Sequence, residues 1–409
     1  MNNDKENFCP WLSNGLYFAP ATGIEKLEIQ PCCRSSHGGR LLKKIKSSDD
    51  DLYKLAQRSS SVKEQIDKMK DPNYTYKNLA NTVCERCFNQ EKTSGKSMRT
   101  GSISKSKSPG KIELLQIAFG NFCNYKCRYC YPRYSTEWNK DAELLKKVNV
   151  DKEFDFLTDI VMTERQTYDY EKKIIEELKK QDLSNIRDIG IFGGEPFLSR
   201  HWEQFVELLN EKANLSKIKI QINSNFSIFP KEKIINLLTK FRKVDLRASI
   251  EAKGSLAEYI RSGLVWNTFE NNVKKWQEVA KHNKSIQLRV HMAHNIYNIN
   301  KLPEFEEWLF DMNLHNSYVS AGVFSPEWLD PVRVLNDDQL DQCLEILKNI
   351  KYLDLNDTVI ERLKYRNYQE NQPQMLRTFK SYTKTLDELR SEKLQDVNPQ
   401  LYEWTFGIN

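Results

Sequence analysis

Cys123, Cys127 and Cys130 stand on one short stretch, FGNFCNYKCRYCYPRYS, separated by three and then two residues. Thiolates are soft ligands suited to zinc or to iron–sulfur clusters. Three of them on one loop can ligate three irons of a cubane and leave the fourth iron without a protein ligand. An iron left open in this way is a substrate site. The competing use, a zinc knuckle, wants four N or S ligands, and no histidine lies near this loop.

A second group of candidates follows later in the chain. In IFGGEPFLS, Gly193 and Gly194 let backbone come close to a ligand, Glu195 can accept hydrogen bonds from an ammonium group, and Pro196 fixes the turn. Taken alone, GGEP reads as a turn after a strand. Asn225, with Asn223 and Ser224, stands at the strand end in IQINSNFS. Ser249 and Glu251 sit in LRASIEAKG, ahead of YIRSG, whose Arg261 can clamp a carboxylate through charge-assisted hydrogen bonds. Without a partner motif these are ordinary polar strand ends and a solvated arginine.

Of the nine cysteines, five come early: Cys9, Cys32, Cys33, Cys84 and Cys87. Cys84 and Cys87 have the C-x-x-C spacing of zinc and iron–sulfur sites, and Cys9 with Cys32 or Cys33 completes four ligands. The spacing does not choose between the two metals. Adjacent thiols at 32 and 33 are not expected to bind one metal together, so one of them packs or stays free. Cys343 recurs at helical spacing with Leu340, Leu344 and Leu347 and reads as a buried small hydrophobe. His291 and His294, in RVHMAHN, are candidate acid–base groups or satisfied polar residues on a strand.

Elements must hold these groups in place. From Lys111 onward, β-rich apolar runs (IELLQIAF, IRDIGIF, IKIQINSNF, VDLRASIE, IQLRVHMAH and SYVSAGVF) alternate with helical patterns at 202–213, 231–241, 266–282 and 302–312. This alternation predicts an α/β fold with a parallel sheet and crossover helices, a partial (β/α)6 TIM-like barrel whose ligands lie at the C-terminal strand ends. Residues 1–92 are expected to form a cysteine-rich metal-cluster domain, 93–111 a Ser/Gly/Lys-rich linker, 112–325 the barrel and 326–409 a helical extension. The insert 135–182 is long enough to cover a site. At 409 residues, 39% hydrophobic and 29% charged, the chain has the material for a large core. Its net charge of +6 reads mainly as a solvated surface. No run approaches the roughly 18 apolar residues of a membrane span, and the N-terminus lacks the order of a signal peptide, so the expected location is the cytoplasm with no membrane partner.

CNYKCRYC, with an aromatic Tyr129 before the last cysteine, resembles the signature of the radical S-adenosylmethionine (SAM) superfamily, and GGEP on the next strand resembles that family's motif for the SAM amino group. The pieces FCPW, IQPCC and CERCFNQE, with the tail LDELR and NPQLYEW, resemble the twitch-type, SPASM-related members. Better-known members carry that cysteine region after the barrel. The resemblance implies a 4Fe-4S cluster on Cys123, Cys127 and Cys130, with SAM bound at the open iron and cleaved to a 5'-deoxyadenosyl radical that abstracts hydrogen from a substrate. It implies that Tyr129 lies near the adenine, that GGEP, Ser249, Glu251, Arg261 and Asn225 contact SAM, and that the early cysteines hold an auxiliary iron–sulfur cluster or zinc. A flavodoxin or ferredoxin is the implied electron donor. A peptide or protein is the leading substrate class, with nucleotide or sugar chemistry as the alternative. The reading from another class is a noncatalytic, zinc-stabilised nucleic-acid binder, against which stand GGEP and the barrel-like alternation.

Overall fold

The structure, a computed structural model, describes residues 9–19, 26–33, 41–44, 54, 56, 60–69, 84, 87, 91, 97–101, 110–148, 154, 157, 162–322, 326–353, 356–366 and 371–407. Much of the expected linker, 93–96 and 102–109, lies outside the described residues. The described strands are β1 (Gly15–Phe18), β2 (Lys26–Gln30), β3 (Leu41–Lys44), β4 (Leu114–Ala118), β5 (Lys126–Cys127), β6 (Asp188–Phe192), β7 (Lys219–Ser224), β8 (Lys243–Ser249), β9 (Arg261–Ser262), β10 (Ile286–His294) and β11 (Tyr318–Gly322). The six apolar runs seen in the sequence become β4, β6, β7, β8, β10 and β11.

The chain divides into two compact units. The first comprises residues 1–122, 161–222 and 230–245. Its strands run in the order β3-β2-β1-β4-β6-β7, followed by the opening residues of β8. β1 pairs parallel with β4, β4 with β6 and β6 with β7, whereas β1–β2 and β2–β3 are antiparallel. Strands β1 and β4 are buried at every position, as both-face-covered parallel strands require. The three N-terminal strands therefore extend the parallel sheet, which the poor periodicity of that segment does not announce.

A helix at Glu164–Lys180 shows how sequence sets an element here. The Thr163 side chain accepts a hydrogen bond from the Gln166 amide and the Gln166 side chain accepts one from the Thr163 amide, a reciprocal cap on two orphan donors. Tyr170, Ile174, Ile175 and Leu178 then bury one face at helical spacing. The helices Trp202–Lys212 and Glu232–Leu238 occupy two of the expected crossovers.

The second unit comprises residues 123–160, 223–229 and 246–409. The rest of β8 neighbours β10, and β10 pairs parallel with β11. Burial along β10 alternates strictly, so His294 shares the buried face of Val290 and Met292 while His291 takes the other. The crossovers Trp266–His282 and Leu302–Asp311 match the sequence pattern within a residue. The tail forms helices at Gln372–Arg390 and Pro399–Phe406, the longer one burying Phe379, Tyr382, Thr383 and Leu386. Among the described residues no helix is long and apolar enough to cross a membrane.

Candidate functional site

The three-cysteine loop is built by local pairing within the second unit. β5 pairs antiparallel with β9, setting Cys127 opposite Arg261 and Lys126 opposite Ser262. The next amide, of Arg128, donates to the Ile260 carbonyl at 2.8 Å, and the Cys130 amide closes a turn onto the Cys127 carbonyl at 2.9 Å. Trp138 Nε1 donates to that same Cys127 carbonyl at 3.0 Å. The result is a loop in which Cys127 and Cys130 are tied down through backbone hydrogen bonds.

Donors also reach the sulfurs. Asn225 Nδ2 lies 3.7 Å from Cys123 Sγ and donates to Asn124 Oδ1 at 2.9 Å. An Arg261 guanidinium nitrogen lies 3.6 Å from Cys127 Sγ. Such N–H groups favour the thiolate form that metal binding needs. Burial, and then the charges of Cys127 and Cys123, hold the Cys130 thiol well above its ordinary range, so the three sulfurs lie within electrostatic reach of one another. Among the described residues no three ligating side chains are already drawn in to a metal's bonding geometry. The donor set itself, three crowded thiols with N–H groups aimed at two of them, fits a metal cluster that would replace their protons.

Arg261 and Glu251 meet directly. Arg261 Nε donates to Glu251 Oε2 at 2.6 Å and its terminal nitrogen to Oε1 at 2.7 Å, a bidentate pair with 1% of the Glu251 side chain exposed. Tyr129 OH donates to the same carboxylate at 2.9 Å, and the guanidinium lies 5.5 Å from its ring centroid. Burial foremost raises the Tyr129 phenol, which keeps it a donor. The sequence pointed to these residues as separate ligand contacts; the structure joins them into one buried group beside Cys127. Ser249 ends β8 and is half-buried.

GGEP lies in the first unit, after β6. Gly193 has φ of +106°, the left-handed region that suits glycine, and a Cβ there would stand 2.6 Å from the Gly120 carbonyl oxygen. A Cβ on Gly194 would lie 2.1 Å from the Phe122 oxygen. The glycines thus let this turn lie against residues 120–122, with the Gly194 amide donating to Gly120 O and the Glu195 amide to Phe122 O, each at 2.8 Å. Glu195 is buried, and its Oε1 caps the short turn Pro196–Leu198 by accepting from the Phe197 amide at 3.1 Å. The turn is anchored further by Ser199, which donates to Glu171 at 2.7 Å beside His201.

The early cysteines also gather in the first unit. Cys9, Cys32 and Cys84 share a buried cluster with Trp11, Leu12, Val62 and Leu114. Burial raises the Cys84 thiol well above its usual range, and the neighbouring charges of Cys9, Cys32 and Cys87 add to the effect. Burial likewise pushes the Cys9 thiol up to about 11. Cys33 turns elsewhere: its amide donates to Gln116 Oε1 at 3.0 Å, and its sulfur lies 3.9 Å from Met98 Sδ.

Cys343 is fully buried on the helix Asp337–Leu347. His294 is buried, and desolvation lowers its pKa to about 4, so it is neutral at physiological pH.

Residues 117–309 match the Radical SAM superfamily. Over 187 residues the chain is 25% identical to the radical SAM cyclopropyl synthase TigE of Paramaledivibacter caminithermalis, a span of 45% of this chain and 36% of that protein. Among solved structures, anSMEcpe with bound AdoMet is similar at a TM-score of 0.38 and 15% identity, over 61% of this chain and 62% of the other. Streptococcus suis SuiB bound to precursor peptide SuiA is similar at a TM-score of 0.35 and 12% identity, over 85% and 70%. The match over 117–309, just under half of the chain, takes in both the three-cysteine loop and GGEP, and this stretch is a radical SAM domain.

Proposed function

We propose that Cys123, Cys127 and Cys130 hold a 4Fe-4S cluster at which SAM is reductively cleaved, and that the radical so produced abstracts hydrogen from a peptide or protein. When bound, the cluster supplies the electron that cleaves SAM to a 5'-deoxyadenosyl radical. The observation that carries the reading is the placing of three thiols on one short loop, one buried and two half-buried, with Asn225 and Arg261 N–H donors facing two of their sulfurs. The protein's share of the work is positional. Asn225 and Arg261 orient and stabilise thiolates, Tyr129 and Glu251 hold Arg261, and the GGEP turn offers backbone and a carboxylate to an ammonium group. The peptide class follows from the likeness of the N-terminal cysteine pieces to SPASM-related proteins.

Anaerobic reconstitution with iron and sulfide, followed by dithionite and SAM, should yield protein-dependent 5'-deoxyadenosine. A cluster-loaded protein that makes none, with or without candidate peptides, would sink the proposal. Transfer of deuterium from a labelled peptide into 5'-deoxyadenosine tests the substrate class, and transfer only from a labelled nucleotide or sugar would overturn it.

We further propose that Cys9, Cys32, Cys84 and Cys87 bind a second metal, an auxiliary iron–sulfur cluster with zinc as the rival. Cys32 shares the buried cluster of Cys9 and Cys84 whereas the Cys33 sulfur lies 3.9 Å from Met98 Sδ, which supports Cys32 over Cys33 as the ligand. Metal analysis of single variants should show Cys32→Ser losing this second metal while Cys33→Ser retains it. Equal loss in both, or in neither, would count against the assignment.

A further inference from the structure

Arg128 lies between two of the proposed cluster ligands, yet its side chain serves neither. Its guanidinium is fully buried and bonds to the end of the helix Gln372–Arg390 and the turn after it: one terminal nitrogen reaches Asp387 at 2.5 Å and Glu392 at 2.6 Å. Its Nε donates to the Tyr259 carbonyl at 3.1 Å, and the plane lies 3.6 Å from the Tyr259 ring centroid. Tyr259 OH in turn donates to Asp387 at 2.8 Å. The Arg128 backbone is held as well, its amide on Ile260 O and its carbonyl accepting from Tyr382 OH.

The helix end is shaped for this contact. Helix Gln372–Arg390 stops at Ser391, whose φ of +54° turns the chain so that the Glu392 amide bonds the Asp387 carbonyl at 3.0 Å. Both carboxylates are thereby brought to one arginine. On the last residue of the helix, Arg390 Nε donates to Asp141 at 2.7 Å and another of its nitrogens to Ser262 Oγ at 3.0 Å. Lys126 Nζ reaches the other Asp141 oxygen at 3.0 Å. The tail therefore grips the loop at Arg128 and, through Asp141, at Lys126, on either side of Cys127.

We propose that the helix Gln372–Arg390 with the turn that ends it is a brace for the redox loop, and that Arg128 is a positioning residue which, tied to Asp387 and Glu392, fixes the separation of Cys127 from Cys130. This rests on the assignment of the cluster to Cys123, Cys127 and Cys130. The physical case is that a buried guanidinium is kept only where its partners are well placed, since desolvation otherwise outweighs the attraction. Rotation of Arg128 out of this cage would move the backbone that joins the two cysteines, and the tail geometry opposes that rotation.

The test uses full-length Asp387→Asn/Glu392→Gln, with Glu392→Gln alone as the milder variant. In metal-free protein, amide exchange at 126–131 should accelerate about ten-fold or more in the double variant, the factor expected on losing a charge-assisted hydrogen bond. Glu392→Gln should give a smaller change in the same direction. In reconstituted protein, chelator should strip iron from the double variant correspondingly faster, and the reduced cluster's EPR spectrum should broaden. Far-UV circular dichroism identifies a variant that has not folded, in which case the Glu392→Gln exchange data decide. Unchanged exchange at 126–131 in a folded variant would overturn the brace. The exchange arm needs no iron, so it separates failure of the brace from failure of the cluster assignment, which would show as wild-type protein that takes up no iron on the triad.

Discussion

Cys127→Ala protein is expected to release no 5'-deoxyadenosine above the level seen without reductant, while keeping its fold. Cys127 is the most integrated of the three thiols. Its residue pairs with Arg261, its carbonyl accepts from both Trp138 and the Cys130 amide, and its sulfur faces an Arg261 nitrogen. The backbone contacts survive the substitution, so the loop keeps its path and only the thiolate is lost. With two protein ligands left, a cubane has one fewer iron anchored and no longer presents a single open iron. Iron and sulfide analysis should show loss of the redox cluster, with metal retained on Cys9, Cys32, Cys84 and Cys87. Nucleoside release at the wild-type rate would show that the loop is not the redox site. Loss of both metals together would show that the two cysteine sets are not independent.

Much of this architecture can be read from the chain because it is local. Runs such as IQLRVHMAH carry a period of two that becomes β10, and the apolar spacing in 266–282 becomes a helix with the same bounds. The cysteine loop is legible for the same reason, since its chemistry lies within eight residues. What escapes is long-range. Nothing in GLYF announces that β1 pairs parallel with β4, almost a hundred residues later, because a four-residue strand buried throughout shows no alternation.

Arg128 escapes for a related reason. Its partners Asp387 and Glu392 sit in a tail that the sequence shows only as a helical extension, and only folding brings them to the loop. The available signal is an arginine set between two cysteines of the loop, with Lys126 as a second positive charge two residues before it. A charge there needs partners of opposite sign, and the loop itself holds no acid. Trp138, Asp141 and Arg390 belong to the same long-range set. Asn225, by contrast, was legible as a polar strand end, and the structure adds that its amide faces Cys123.

The strongest electrostatic consequence falls on Glu251. Its carboxylate accepts from Tyr129 OH and from two Arg261 nitrogens while almost fully buried. In Glu251→Gln the shape remains but the negative charge goes, leaving a buried guanidinium 3.6 Å from Cys127 Sγ without its counter-ion. Removing one partner of a buried ion pair costs about 3–5 kcal/mol. Denaturant unfolding of metal-free protein should show a loss of that order for Glu251→Gln. Replacing both partners, as Glu251→Leu with Arg261→Met, should recover most of it, because two apolar groups of similar volume leave no charge to bury. Equal instability in the single and double variants would mean that packing rather than charge holds this group together. The double variant also separates folding from function. It should remain folded but bind its cluster poorly, since the N–H that faces Cys127 is gone, and stability and iron content would then move in opposite directions along one pair of variants.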